Sequence, residues 1–196
     1  MIDEVMLCLK HRLNTHLSPL LAPFAPDGEP VAFPDTRDSV LHFPDNQITL
    51  LLVNLEEDTS LRAPDLHSTR DANGVTRRIS PALRINLYVL FVAYYADYTH
   101  ALAAISHVID HFQSHRILDR QNTPLLSERV ERLHLEIVTL PFDAQNRLWR
   151  SLGQTYRPSV MYRVRLLVFR DQDSPGAGQI QETAAHISQL DDESSH

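Results

Sequence analysis

The sequence predicts an α/β protein of the α+β kind, with a mixed, largely antiparallel sheet of about four main strands flanked by helices. Four segments alternate side chains with the period of two that is typical of strands, at residues 47–55, 82–95, 132–140 and 158–169. Three segments carry apolar residues at helical spacing, at 2–17, 97–115 and 143–153. The helix at 97 follows its strand directly, which is typical of a helix that folds back onto a sheet.

The first helix and the connection after it are separated by proline. We expect Ser18-Pro19 to end the helix, because proline disfavours the helical conformation of the residue before it. Further prolines up to Pro44 predict an extended, irregular connection that leaves room for short pairings around residues 40–43. The strand at 47–55 is apolar on both faces, so it should be central and covered on each side.

The second helix and the third strand have clear inward positions. Asp97 should open the helix, which runs through His115. Its predicted buried stripe consists of Ala101, Leu102, Ile105, Val108, Ile109 and Phe112. In the strand at 132–140, the inward residues should be Leu133, Leu135 and Ile137, with His134 and Glu136 outward.

The stretch from Asp143 to Phe169 holds the single tryptophan and the clearest alternation. Asp143 is expected to cap a short helix and Gly153 to end it in a left-handed turn. In the strand that follows, one face is apolar and the other carries Arg163 and Arg165. If the third and fourth strands are neighbours, the cross-strand partners of these arginines are Glu136 and His134.

Composition indicates one folded domain and a tail. At 196 residues and 43% hydrophobic content, the chain is long enough for one sizeable core, at residues 1–170. After Arg170 there are six carboxylates and no lysine or arginine, so we expect residues 171–196 to form an acidic, flexible tail. The net charge of −7 disfavours a general nucleic-acid or anionic-membrane binder.

The N-terminus and the cysteine content bear on the compartment. The single cysteine, Cys8, excludes an internal disulfide, and its leucine neighbours suggest a buried thiol. Asp3 and Glu4 stand where a signal peptide needs positive charge, which predicts synthesis in the cytoplasm. No apolar run approaches the roughly 20 residues of a membrane helix.

Residues 56–80 form a long polar insertion. It contains several arginines and an Asn73-Gly74 turn signal, which can close a projecting β-hairpin. Such insertions in compact domains are usually functional or disordered in isolation. We favour an arm or loop that orders against a partner over an unstructured connector.

Enzyme motifs are missing from the sequence, and no cofactor is expected. The five glycines form no phosphate-binding loop or dinucleotide fingerprint. His100, His107 and His111, with Asp110 nearby, fall within about 40° on the predicted helix and could bind a divalent metal. The favoured alternative is that these histidines are an exposed stripe.

Two arginines flank the tryptophan. Arg147 and Arg150 with Trp149 could stack on a base or hold a phosphate. The nearly neutral charge of residues 1–170 argues against this, since the sequence offers no basic stripe that could follow a nucleic-acid backbone. A packing role is simpler, with Leu148, Trp149 and Leu152 forming the buried edge of the helix.

Two runs carry a family resemblance. They are Ile85-Asn-Leu-Tyr-Val-Leu-Phe-Val-Ala-Tyr-Tyr-Ala-Asp97, and Leu-Trp-x-x-Leu-Gly followed by Arg-Pro-Ser-Val-x-Tyr-Arg-Val-Arg. With the first helix and the strand at 48–55, their order over residues 1–170 resembles the N-terminal domain of the cap, or tail-terminator, proteins of extracellular contractile injection systems. These are phage-tail-like particles typified by the antifeeding prophage.

The resemblance implies a structural role without catalysis. It implies a homo-hexameric ring that closes the distal end of the inner tube and contacts the last sheath ring, with neither nucleic acid nor membrane as a partner. Such a protein is assembled in the cytoplasm and is extracellular after particle release. The alternative is an assembly adaptor or chaperone that is not retained in the particle. The interface candidates are Arg70, Arg77, Arg78, Arg147, Arg150, Arg163 and Arg165.

Overall fold

The computed structural model describes residues 1–23, 28–35, 41–58, 68–70, 76–78 and 84–168. Six of its strands form one sheet in the order β1-β2-β5-β8-β7-β6. Their bounds are β1 Val31–Ala32, β2 Gln47–Glu57, β5 Arg84–Tyr94, β6 Ile117–Asp119, β7 Val130–Val138 and β8 Ser159–Val168. A separate two-stranded antiparallel sheet consists of β3 Ser68–Arg70 and β4 Thr76–Arg78. The helices are α1 Ile2–Leu21, α2 Tyr98–Ser114 and α3 Phe142–Ser151.

The main sheet confirms the predicted fold class. The first strand, β1, runs parallel to β2, and the other neighbouring strands in this sheet pair antiparallel. The four long strands, β2, β5, β7 and β8, are the four that the alternating patterns predict. The sheet is completed at its two edges by β1 and β6, which the sequence did not indicate because strands of two or three residues carry no measurable period.

The main core lies between the sheet and the pair α1 and α2. Three aromatic rings meet at its centre: Tyr162 of β8 lies 5.8 Å from Phe91 of β5 and 5.2 Å from Phe112 of α2, between ring centroids. All three side chains are buried, as are the inward residues of β5 on either side of Phe91. Large buried rings contribute strongly to core stability, so this cluster fixes α2 against the middle of the sheet.

A second, smaller core lies on the opposite face under α3. Trp149 is 4% exposed and meets Phe43 edge to face at 6.3 Å. Leu90 and Met161 form the floor, and the flanking Leu148 and Leu152 are partly buried against it. The predicted buried edge of α3 is therefore confirmed. Because α3 packs over Met161, no helix within the described ranges covers the later part of β8 on this face.

The first helix is longer than predicted. We expected Ser18-Pro19 to end it, but α1 continues through Pro19 to Leu21. Proline in the last turn forfeits few helical hydrogen bonds, and Leu17 and Leu21 are both fully buried in the main core. Their packing therefore outweighs the local preference of the Ser-Pro pair.

The connection after α1 holds one strand. Asn14 of α1 binds the backbone of Val31 in β1: its Nδ2 donates to the Val31 carbonyl at 3.1 Å and its Oδ1 accepts from the Val31 amide at 2.7 Å. Asp35 and His42 exchange backbone hydrogen bonds of 3.0 and 3.2 Å in an isolated antiparallel bridge. Val40, where a pairing was expected, lies outside the described residues.

The ends of α3 confirm one predicted cap and correct the other. Gly153 adopts a left-handed φ of 64°, and the amides of Gly153 and Gln154 donate to the carbonyls of Arg150 and Trp149, which is a Schellman ending. Asp143 does not cap the helix, because α3 begins at Phe142 and has Pro141 at the N-cap position. Asp143 therefore lies within the first turn. Its carboxylate instead binds Arg147 at 2.8 Å.

Two apolar residues expected inside are exposed. Leu102 is 45% exposed because the buried stripe of α2 is rotated towards Ala101 and Ala104, whose small side chains allow close packing. Ile137 is 47% exposed, since β6 pairs only with residues 132–134 of β7 and does not reach Ile137. The other inward residues of β7, Leu133 and Leu135, are buried as predicted.

The insertion is described in part, and the predicted tail is not described. Within 56–80, β3 and β4 pair antiparallel, as a hairpin requires, while the turn pair Asn73-Gly74 lies outside the described residues. The predicted acidic tail, 171–196, also lies outside them. The extent of the folded domain therefore stays a prediction.

Candidate assembly surface

The part of the sheet that α3 leaves uncovered carries a cluster of charged and polar side chains, here called the charged face. It consists of Glu56 on β2, Asn86 and Tyr88 on β5, His134 and Glu136 on β7, and Arg163 and Arg165 on β8. Side chains along a strand alternate between the two faces of the sheet, and these residues lie on the same face as Met161, which packs beneath α3. The register places Glu136 opposite Arg163 and His134 opposite Arg165, as the sequence predicted.

Glu136 is the centre of the charged face. Its Oε2 accepts hydrogen bonds from Nη2 of Arg163 at 2.5 Å and from Nη2 of Arg165 at 3.2 Å. His134 Nδ1 lies 3.4 Å from the other carboxylate oxygen. One carboxylate therefore orients two guanidinium groups within the subunit.

A second pair lies next to the first. The Tyr88 hydroxyl donates to Oε2 of Glu56 at 2.8 Å, across from β5 to β2. Asn54 donates to the other oxygen of the same carboxylate at 3.2 Å. The charged face thus extends over four neighbouring strands, β2, β5, β8 and β7.

The electrostatics follow from these contacts. The hydrogen bond from Arg163, followed by the nearby charges of Arg165 and Arg163, holds the pKa of Glu136 below its ordinary value of 4.5. The same bond raises the pKa of Arg163. The hydrogen bond to Glu56 raises the pKa of the Tyr88 phenol. At neutral pH, Glu136 and Arg163 are therefore both charged.

Two buried polar atoms on this face make no hydrogen bond with the described part of the chain. They are Nε of Arg163 and Oδ1 of Asn86. Buried polar atoms are nearly always paired. These two atoms are exceptions, as are four others elsewhere in the described residues.

The other arginines singled out from the sequence are spread over three elements, α3, β3 and β4. Arg147 and Arg150 lie on the outer side of α3, both exposed, with Arg147 paired to Asp143. Arg70 lies in β3, opposite Thr76, whereas Arg77 and Arg78 lie in β4 opposite Thr69 and Ser68. The structure thus brings together Arg163 and Arg165. Sequence reasoning missed Arg157, whose guanidinium lies 4.7 Å from the centre of the Tyr94 ring.

The histidines of α2 do not form the expected exposed stripe. His111 is 5% exposed, and its Nε2 accepts a hydrogen bond from Nε of Arg12 at 3.2 Å, whereas His100 and His107 are partly exposed. Among residues with a described position, no group of three or more His, Cys, Asp or Glu side chains is placed to hold a metal ion. Nor is any described helix long and apolar enough to cross a membrane.

Two solved structures share this fold. The sheath/tube terminator of an extracellular contractile injection system, PVC, in the extended state has a TM-score of 0.50 and 16% identity, over 93% of this chain and 64% of that chain. The tube-terminating cap of the anti-feeding prophage has a TM-score of 0.51 and 16% identity, over 88% of this chain and 60% of that chain. The fold is therefore that of tail-terminator proteins, and the chain spans less than two thirds of the length of either.

The sequence itself gives the family. Residues 4–183 match the family described as the Pvc16 N-terminal domain. The chain belongs to this family, which confirms the resemblance found in the sequence. A search of curated proteins returns no match.

Proposed function

We propose that this chain is a structural cap, or terminator, of a contractile injection particle. In this role it forms a ring that closes the distal end of the inner tube and contacts the terminal sheath ring. The observation that carries the proposal is the likeness to the PVC sheath/tube terminator, which extends over 93% of this chain. Nearly the whole chain thus corresponds to part of a protein with this role, rather than to one isolated motif.

The charged face supports the assembly role. Surface ion pairs contribute little to the stability of a single subunit, but prepositioned arginines at an interface can select a partner and fix its register. In this proposal Arg163 and Arg165 meet the tube or the next subunit. Arg70, Arg77 and Arg78 of the 56–80 arm pair with carboxylates of a neighbour, while Arg147 and Arg150 extend the contact along α3.

The proposed ring contains about six copies, the number that the family resemblance implies, and a head-to-tail contact gives such a ring when its rotation closes on the first subunit. Such a contact uses two different surfaces of each subunit, and the arm and the charged face are two such surfaces. The proposed role needs no catalysis. The subunit is assembled in the cytoplasm and becomes part of the released particle.

The composition of purified particles tests this function. Mass spectrometry, quantified against the tube protein, should find the chain retained at about one ring per particle, and antibody labelling in electron micrographs should mark one end. A chain that is absent from purified particles but bound to a free component in lysates would contradict the proposal. That result is what an adaptor or chaperone predicts.

A further inference from the structure

A groove of about 570 Å³ lies on the other side of the sheet from the charged face, between α1 and α2. Its α1 wall is formed by Cys8, His11, Arg12, Thr15 and His16, its α2 wall by His111, and its rim by residues 122–125. This is called the α1–α2 groove below. It is independent of the surface proposed for assembly.

The walls of the groove are held by one arginine. Nη1 of Arg12 donates to the Asn122 carbonyl at 2.8 Å and to Oγ1 of Thr123 at 2.9 Å, while Nε donates to His111. These bonds connect α1, α2 and the rim, so the groove has a defined shape. Its lining residues, all within the described part of the chain, include no carboxylate.

The groove also presents apolar surface. The rings of His16 and His111 lie 4.4 Å apart, and His115 stacks on His111 at 4.8 Å, between centroids. Leu125 on the rim is 59% exposed. The neutral His111 accepts from Arg12 at Nε2, so its hydrogen lies on Nδ1, a buried atom that makes no hydrogen bond with the described residues. Since the lining also carries the positive charge of Arg12 and no carboxylate, an occupant should offer apolar side chains together with negative charge.

The chain leaves the sheet beside this groove. Val168, the last described residue, pairs with Val130 of β7. The Val130 amide donates to the Ser127 carbonyl, and the Leu126 amide donates to the Thr123 carbonyl. The end of β8 is thus linked, through these short contacts, to the rim of the groove.

The sequence beyond Val168 has the required chemistry. Ile180, Ala184, Ile187 and Leu190 stand at positions i, i+4, i+7 and i+10, so in a helix they would share one face. Asp191, Asp192 and Glu193 follow directly, and no lysine or arginine occurs after Arg170. The twelve residues from 168 to 180 can span at most about 40 Å, which is ample for reaching a groove at the same end of the sheet.

We propose that residues 180–193 of the same chain bind in the α1–α2 groove. Ile187 and Leu190 cover the histidine rings and Leu125, and the carboxylates at 191–193 lie beside Arg12 and the histidines at the groove's edge. The acidic segment then has a specific intramolecular site.

Disulfide trapping in the full-length chain tests this proposal. The first variant is Thr15→Cys with Ile187→Cys, chosen because Thr15 is exposed in the groove. The native Cys8 should not interfere, because its thiol is buried and burial raises its pKa, which limits its reactivity. The matched control is Asn146→Cys with Ile187→Cys, because Asn146 is exposed on α3 across the sheet. Circular dichroism checks that both variants fold.

An intramolecular bond between positions 15 and 187 should form at least about tenfold faster than the control bond, since docking raises the effective concentration. Neutralising the tail with Asp191→Asn, Asp192→Asn and Glu193→Gln should slow the trapping several-fold. Equal rates for positions 15 and 146 would overturn the proposal. Bonds that form only between two chains would also overturn it, by showing that the occupant comes from a second copy. A rate unaffected by neutralisation would refute the charge pairing.

Discussion

Glu136 is the residue on which the organisation of the charged face depends. Its carboxylate binds both Arg163 and Arg165, and all three side chains are about one third exposed or more. Glu136→Gln should lower the free energy of unfolding at pH 7 by about 0.5 kcal/mol, a typical value for surface ion pairs. Urea denaturation measures this change.

The pH dependence of that difference has a definite sign. Because the folded chain holds the pKa of Glu136 below 4.5, the stabilisation is complete above pH 4.5 and is lost as the pH falls through the folded pKa. Glu131→Gln is the matched control, since Glu131 lies on the same strand and approaches Arg132 only to 3.9 Å. Equal effects of the two substitutions at pH 7 would argue against the role given to Glu136.

His111 also lowers the stability of the fold on acidification, but it begins to act at a higher pH than Glu136. Burial, helped by the nearby positive charges of His16, Arg12 and His115, lowers its pKa from 6.5 to about 3. Between these values the unfolded chain binds an additional proton, so His111 should destabilise the fold by up to about 1.4 kcal/mol for each pH unit below 6.5.

Urea denaturation at pH 7, 6 and 5 tests this effect. In His111→Gln, the free energy of unfolding should fall less steeply with falling pH, because the contribution of His111 is removed. His107→Gln, which removes a less buried imidazole from the same helix, serves as the control. A slope that is unchanged in His111→Gln would contradict the account. This comparison separates burial from the loss of a histidine in general.

The residue-scale outcomes show what the sequence could and could not predict. The pairing of Glu136 with Arg163 follows from strand parity, once β7 and β8 are neighbours. The burial of His111 does not, because its partner Arg12 lies 99 residues earlier in the chain. Helical spacing places a side chain on a face, but only the packing of α1 decides that this face is covered.

At the scale of elements, Asn14 connects α1 to the edge of the sheet. Its side chain pairs with both backbone groups of Val31, and Asn14 and Val31 are buried. Asn14→Leu conserves the approximate volume but leaves a buried amide and a buried carbonyl unpaired. The expected loss of stability is about 2 to 4 kcal/mol.

Hydrogen exchange provides a local measurement of the same change. The Val31 amide should exchange markedly faster in Asn14→Leu, whereas the neighbouring exposed substitution Thr15→Ala should leave it protected and cost less than about 0.5 kcal/mol. If Val31 keeps its protection in Asn14→Leu, the strand is held by β2 alone. The side chain of Asn14 would then be dispensable for β1.

Elements were predictable to the extent that their pattern is long. The four main strands and α2 emerge from alternation and helical spacing over nine or more residues. The short β1 and β6 depend on what the sheet edges meet, and the passage of α1 through Pro19 depends on the burial of Leu21. These features are decided by tertiary packing, which local sequence does not contain.

At the scale of the whole molecule, the arginines of the charged face should matter for assembly more than for folding. Arg163→Gln with Arg165→Gln should weaken ring formation while leaving most of the subunit's stability intact, because the lost ion pairs lie at the surface. Charge reversal is less selective, since it would also place a carboxylate against Glu136 within the same subunit. Mass photometry of the purified chain measures the assembled fraction.

The controls for this prediction separate folding from assembly. Glu136→Gln removes the internal partner but keeps both arginine charges, so it should assemble better than the double variant. Normal rings in Arg163→Gln with Arg165→Gln would show that the charged face is not the contact. The arm at 56–80 would then be the next surface to test.

The length of particles measures the proposed terminator role most directly. If the chain closes the inner tube and limits the sheath, particles from cells that lack its gene should show a broad, abnormal length distribution in electron micrographs. Expression of the intact chain should restore a single length, and the Arg163→Gln with Arg165→Gln chain should restore it poorly. Particles of normal, uniform length in the absence of the gene would contradict the account.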